Sequence, residues 1–179
     1  MNSTFSTEST VNASPLQLDS ALTAQVLALG DVLREKEWTV SSAESCTGGG
    51  VAFAFTSVAG SSDWFNQSWV TYSNEAKQYE LGVSEQTLIK HGAVSEHTVK
   101  EMAKGVCRRS GAQVAVTVSG IAGPGGGSEE KPVGTVWFGF VCGDNVAQVK
   151  QVFSGDRNQV RSAAIHFAIS YLLKMLREK

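Results

Sequence analysis

The chain has 179 residues, enough for one well-packed domain and too few for two comfortable ones. With 42% hydrophobic and 18% charged residues it has an ordinary globular composition, and a net charge of −2 without any basic stripe leaves no nucleic-acid footprint. Cys46, Cys107 and Cys142 are widely spaced and form no Cys-x-x-Cys pair, which argues against a zinc site or a disulfide framework and fits a reducing cytosol.

No stretch approaches the roughly 18 to 20 apolar residues of a membrane span, and the N-terminus lacks the basic start and apolar core of a signal peptide. A cytoplasmic protein is expected. Residues 1–13 are rich in Ser and Thr and are expected to form a flexible tail. Ser14, Pro15 and Gln17 have the pattern of a helix start. Leu22, Val26, Leu29 and Leu33 follow at helical spacing and predict a helix to about Lys36.

Residues 38–42 read as a first strand. The segment AESCTGGG (43–50) follows, and the small apolar run 51–55 predicts a helix continuing to Gly60. Residues 68–72 read as a second strand, after which Ser73 and Asn74 cap a helix carrying Glu75, Ala76 and Lys77. Ser84 and Ser95 start two further helical segments, 85–90 and 96–109. Residues 114–118 are the most apolar strand, as expected at the centre of a sheet covered on both faces. A glycine-rich loop, 119–128, comes next.

Residues 135–142 and 146–153 flank Gly143, Asp144 and Asn145 and predict an antiparallel hairpin. Asp156 and Arg157 open a final helix with Val160, Ala164, Phe167, Ile169, Tyr171 and Leu172 on a broad apolar face. This order predicts an α/β protein, a three-layer α/β/α sandwich around a mostly parallel five-stranded mixed sheet. The strand ends at Ser45, Tyr72 and Ser119 would then open on one edge, where ligands sit in such sheets.

Ser45, Cys46 and Thr47 are three candidate nucleophiles at the first of these ends. A strand that turns into a helix leaves its turn residues facing unpaired N–H groups at the positive end of the helix dipole. Gly48, Gly49 and Gly50 let a ligand approach the backbone closely. Equally, the segment reads as a serine-rich cap with glycines for tight packing.

A Ser nucleophile needs a base. His91, His97 and His166 fall away from the three strand ends and read as surface or packing histidines; a lysine is the other option, and Lys77 fits. Near a helix's first turn and beside an apolar sheet edge, its pKa is pushed down toward a neutral amine; a solvated surface lysine is the alternative. Tyr72 could relay a proton between Ser45 and Lys77, or be an ordinary strand aromatic. Cys46 has no histidine to pair with and reads as a small buried thiol. The loop around Gly120, Gly123, Gly125 and Gly126 offers backbone N–H groups to a phosphate or carboxylate, but matches neither the P-loop nor the dinucleotide spacing. Asp156 reads as a helix cap. Arg157 suits an anionic group or plain solvent exposure.

Six segments together carry a resemblance: AESCTGG (43–49), VAGSSDWF (58–65), VTYSNEAK (70–77), HGAVSE (91–96), SGIAGPGGGSEEKPVGTVWF (119–138) and FSGDR (153–157). In this order they resemble the competence-damage-inducible protein (CinA) C-terminal family, and within it the stand-alone bacterial nicotinamide mononucleotide deamidases. The similarity runs from about residue 16 to 176, leaving 1–15 as a tail and 16–179 as one domain. It implies an amidohydrolase that converts nicotinamide mononucleotide to nicotinic acid mononucleotide and ammonia, in pyridine-nucleotide salvage.

By the same resemblance Ser45 is the nucleophile, with Tyr72 and Lys77 as its catalytic companions. Substrate-binding roles are implied for Cys46, Thr47, Gly48, Gly49, Ser119, Gly120, Gly123, Gly125, Gly126 and Arg157. No cofactor or metal is implied, no nucleic-acid or membrane partner, and the assembly is expected to be a homo-oligomer, a dimer favoured. Longer members carry a pyrophosphatase-like domain whose activity is not carried over. A non-catalytic nucleotide-binding module in a competence or DNA-damage response, and an amidase of another small amide, are the competing expectations.

Overall fold

A computed structural model describes residues 18–178. The expected tail and the helix start at Ser14 lie outside the described residues. The first helix, α1 (Ser20–Glu35), is capped by Asp19, whose carboxylate accepts the Leu22 N–H at 2.8 Å. Its buried residues are Gly30 and the four that the helical spacing selected, Leu22, Val26, Leu29 and Leu33.

The strands are β1 (Val40–Glu44), β2 (Phe65–Val70), β3 (Val114–Gly120), β4 (Thr135–Cys142) and β5 (Asn145–Val152). They form one sheet in the order β2-β1-β3-β4-β5. β1 pairs in parallel with β2 and β3, whereas β4 pairs antiparallel with β3 and β5. Four strands therefore point one way and β4 alone is reversed, a mixed sheet in an α/β fold. β3 is buried along nearly its whole length, as its apolar run requires at the centre of a covered sheet.

The remaining helices are α2 (Gly50–Thr56), α3 (Asn74–Leu81), α4 (Glu85–His91), α5 (Glu96–Ser110) and α6 (Arg157–Arg177). On one face α1, α2 and α6 pack over Val40, Val116, Val118, Phe138 and Phe140. On the other, Leu81, Leu88, Met102 and Val106 from α3, α4 and α5 pack over Ala43, Ala115 and Val141. Ser73, Ser84, Ser95 and Asp156 each cap the helix that follows through a side-chain oxygen.

Several boundaries differ from expectation; β2, for one, begins at Phe65 rather than at 68, and three other differences bear on the site. β1 extends to Glu44, two residues beyond the predicted end, and β2 ends at Val70 rather than Tyr72. A buried glutamate does not look like a strand residue in a hydropathy pattern; its backbone pairs with Val70 and Val118, and bonds from the following turn satisfy its carboxylate. The helix expected to reach Gly60 stops at Thr56. There the hydroxyls of Thr56 and Ser57 turn back onto the carbonyls of Ala52 and Phe53 at 2.9 and 2.7 Å, competing with continued helix. A short 3-10 turn, Ser61–Asp63, follows.

The placement of α3 matters most for the site. Gly105 of α5 lies where a Cβ would collide with the Leu81 carbonyl, so only glycine lets α5 approach α3 this closely. Arg108 of α5 then donates to that same carbonyl at 2.8 Å. Two α5 residues thus fix the end of the helix that carries Lys77.

Candidate active site

Hydrogen bonds continue the sheet past the strand ends. Ser45 N–H donates to the Val118 carbonyl at 2.9 Å, and Thr71 N–H donates to the Glu44 carbonyl at 2.8 Å. These bonds bring the turn after β1 and the bend after β2 to the same corner of the sheet. Lys77, one turn into α3, reaches back into this corner. Its Nζ lies 3.3 Å from Ser45 Oγ and donates to the Thr71 carbonyl at 2.8 Å, with the Tyr72 and Ser73 carbonyls at 3.4 and 3.5 Å.

The Lys77 side chain is 1% exposed, and no carboxylate is among its hydrogen-bond or ion-pair partners. Burial disfavours the ammonium form and pushes its pKa from 10.5 down to about 8. An appreciable neutral fraction therefore exists near neutral pH. An amine that is not permanently charged thus sits within contact of a serine hydroxyl.

The turn between β1 and α2 is held from beneath by Glu44. Its carboxylate accepts the Thr47 hydroxyl at 2.6 Å, the Val51 N–H at 3.0 Å and the Ala52 N–H at 2.9 Å. The positive end of α2 is therefore answered by Glu44 rather than left to face the serine hydroxyl, as the sequence pattern had implied. Within the turn, Gly48 N–H donates to the Ser45 carbonyl at 3.0 Å and Gly50 N–H to the Thr47 carbonyl at 3.3 Å. The N–H groups of Cys46 and Thr47, directly after Ser45, stand outside these internal bonds.

Arg157, at the start of α6, spans the top of the corner. It donates to the Gly123 carbonyl at 2.8 Å and to the Tyr72 hydroxyl at 3.3 Å. Arg161, one turn further along α6, donates to the Thr47 carbonyl at 2.9 Å. Beyond the Gly48–Gly50 stretch lies a cleft of about 430 Å³ between α1, α2 and α6, with Phe53, Arg161 and Ile165 in its walls. Ser45 and Lys77 do not line it. Among the described residues no three His, Cys, Asp or Glu side chains gather as a metal-binding group, and no helix is long and apolar enough to cross a membrane.

Comparison with known proteins covers nearly the whole described chain. The family model of the CinA C-terminal domain matches residues 22–176. The chain belongs to the CinA C-terminal domain family. A curated relative from Enterobacter agglomerans, nicotinamide-nucleotide amidohydrolase PncC, is 58% identical over 147 residues, covering 82% of this chain and 90% of the relative. The protein of the same name from Escherichia coli (strain K12) is 52% identical over 156 residues, covering 86% and 94%. Among solved structures, the competence/damage inducible protein CihA from Agrobacterium tumefaciens superposes with a TM-score of 0.87 at 39% identity, covering 91% of this chain and 99% of that one.

Within this CinA C-terminal domain, the residues singled out from the sequence separate into distinct environments. Ser45, Lys77 and the backbone of Tyr72 come together. The Tyr72 hydroxyl does not bridge Ser45 and Lys77: the side chain is 62% exposed and its oxygen rests on Arg157 instead. The bend after β2 alternates, with Thr71 turned inward and Tyr72 outward, and Lys77 reaches Ser45 directly from the inner side.

The side chains of Cys46 and Thr47 are unavailable to a ligand. Cys46 packs in the core, where burial pushes its thiol up to about 11, and Thr47 is spent on Glu44. Ser119 is buried and donates to the Ala93 carbonyl at 2.8 Å. A Cβ on Gly120 would meet Val136 and Thr135, so close strand packing, not ligand approach, requires glycine there. Gly125 faces open space, whereas a Cβ on Gly48, Gly49 or Gly126 would make ordinary van der Waals contact with Arg161, Val70 or Ile121. His166 pairs with Asp19 at 2.7 Å and His91 stacks on His97 at 3.7 Å, both outside the hydrogen-bonded Ser45–Lys77 corner.

Sequence reasoning overlooked Glu44, Thr71 and Arg161. A glutamate beside a candidate serine was a visible signal. Arg161 gave none, because its partner lies 114 residues away along the chain.

Proposed function

We propose that this chain hydrolyses the carboxamide of nicotinamide mononucleotide, releasing ammonia and nicotinic acid mononucleotide, with Ser45 as nucleophile and Lys77 as base. The observation carrying the mechanism is the 3.3 Å separation of Lys77 Nζ from Ser45 Oγ at a buried corner that lowers the lysine pKa. The substrate follows from relatives named nicotinamide-nucleotide amidohydrolase that this chain matches along most of their length.

Neutral Lys77 takes the Ser45 proton as Oγ adds to the carboxamide carbon. The oxyanion faces the N–H groups of Cys46 and Thr47, each donor contributing on the order of 3 kcal/mol to the transition state. The lysine then passes its proton to the leaving nitrogen, and ammonia departs from an acyl-serine. Water, deprotonated by the same amine, cleaves that ester and restores Ser45. The phosphate is held by backbone N–H groups near Gly125 and Gly126 and by Arg157, which its bonds to Gly123 and Tyr72 support as acting within its own chain. Cys46, Cys107 and Cys142 form no disulfide with one another, which supports a reducing compartment such as the cytoplasm.

The test is ammonia release from nicotinamide, its riboside and its mononucleotide, with the acid product followed by chromatography. Turnover concentrated on the mononucleotide is expected, because it alone carries the phosphate. Equal turnover of all three would point to a general small-amide hydrolase. Calorimetric binding of the mononucleotide without any ammonia would point to a binding module.

A further inference from the structure

The turn that carries Ser45 is braced by Glu44 and by its own Gly48 and Gly50 N–H bonds, but it contains two left-handed glycines. Gly48 and Gly49 sit at φ 60° and 91°, conformations that glycine enters easily and leaves as easily. Yet a serine–lysine pair works only if the hydroxyl and the N–H groups after it keep one geometry.

Thr47 is gripped from two sides. Its hydroxyl donates to Glu44 at 2.6 Å, and its carbonyl accepts from Arg161 Nη2 at 2.9 Å. A trans peptide plane sends its C=O and the following N–H in opposite directions. With the Thr47 carbonyl anchored on Arg161, the Gly48 N–H is aimed the other way, onto the Ser45 carbonyl at 3.0 Å. An α6 side chain thus sets the orientation of Ser45 through two successive hydrogen bonds.

We infer that Arg161 is a positioning residue for the hydrolytic reaction: through the Thr47 carbonyl it holds Ser45 and the N–H groups after it in register with Lys77, touching no reacting atom. The inference rests on the proposed Ser45–Lys77 chemistry. Docking of α6 does not depend on Arg161, since the helix is anchored by buried Val160, Ala164, Ala168, Ile169 and Leu172.

The experiment compares Arg161→Met, which keeps the aliphatic stem without a donor, with Arg161→Lys, which restores one donor. Two readouts are taken on the full chain: kcat and KM for the mononucleotide, and the rate at which a fluorophosphonate modifies Ser45. In that step Oγ bonds to phosphorus, fluoride leaves and the serine proton departs with it. Ser45→Ala serves as the blank.

For Arg161→Met, kcat and the phosphonylation rate should fall by a common factor of about 10 to 100, with KM moving less than about threefold. Arg161→Lys should regain most of both rates. Wild-type rates in Arg161→Met, a loss confined to KM, a kcat loss with unchanged labelling, or a lysine variant no better than methionine each overturn the inference. So does an Arg161→Met chain that does not fold. A wild-type chain that labels at Ser45 but releases no ammonia refutes the proposed activity, while the labelling rates still decide the role of Arg161. Neither turnover nor labelling in the wild type overturns both.

Discussion

Lys77 meets Ser45 from the inner side of the sheet corner, across 32 residues of chain, with its amine 3.3 Å from the hydroxyl and its side chain 1% exposed. A lysine in that position has given up bulk water for three backbone carbonyls and one serine oxygen. Carbonyl dipoles stabilise an ammonium less than water does in this setting, so desolvation dominates and the proton leaves early. The first expectation follows directly. Removing either partner ends the chemistry: Ser45→Ala and Lys77→Ala should each lower kcat by on the order of 10³ or more while the fold survives. Ammonia assays beside circular dichroism decide it; either variant turning over near the wild-type rate removes the dyad.

The pH dependence has a definite sign. With a folded pKa of about 8, the reactive neutral form of Lys77 is a minority at pH 7 and grows as pH rises. kcat/KM should climb about tenfold for each step of one in pH below 8 and level off above it. A profile flat from pH 6 to 9 would exclude Lys77 as the base.

The same lowered pKa enters stability with the opposite chemistry. The folded state releases the Lys77 proton near pH 8 and the unfolded state near 10.5, so wild-type stability rises with pH between those values. Below pH 8 the full penalty of burying the ammonium applies, on the order of 3 kcal/mol. Urea unfolding should therefore show Lys77→Met gaining most over wild type at pH 7, with its advantage shrinking toward pH 10.5. An advantage that widens with rising pH would contradict the assigned direction.

Cys46 neighbours Ser45 but belongs to the core. With burial pushing its pKa up to about 11, almost no thiolate exists at neutral pH. Cys46→Ala should keep most of the activity and cost about 1 kcal/mol of stability for the lost packing. A folded but inactive Cys46→Ala chain would transfer the nucleophile to sulfur.

What the sequence made legible was local or periodic. The caps at Ser73, Ser84, Ser95 and Asp156 depend on residues three positions away, and the buried face of α1 depends on spacing alone. The meeting of Ser45 with Lys77 was also readable, because consecutive strand–helix corners in a parallel sheet share an edge. What escaped notice was the long-range bonding that makes the corner rigid. Glu44 holds α2 from within β1, and Arg161 holds Thr47 from the far end of the chain. Side-chain direction escaped too: Tyr72 sat at the right place in the sequence, yet its hydroxyl faces outward because the bend after β2 buries Thr71 instead.

That outward turn separates two roles for Tyr72. As a proton relay, its hydroxyl would be required in the chemical step, and Tyr72→Phe would lower kcat by about 10² to 10⁴ with KM unchanged. In the observed arrangement the hydroxyl accepts a hydrogen bond from Arg157 at 3.3 Å and none from Lys77. Tyr72→Phe should then alter kcat by less than about fivefold, the effect of loosening one exposed hydrogen bond. Arg157→Gln should raise KM for the mononucleotide by about tenfold or more through loss of the proposed charge-assisted phosphate contact, leaving kcat largely intact. The Tyr72→Phe, Arg157→Gln double variant should then resemble Arg157→Gln alone, since the hydroxyl acts only by steadying the guanidinium. Steady-state kinetics on the three variants settles the matter, and a kcat collapse in Tyr72→Phe would return the tyrosine to the proton path.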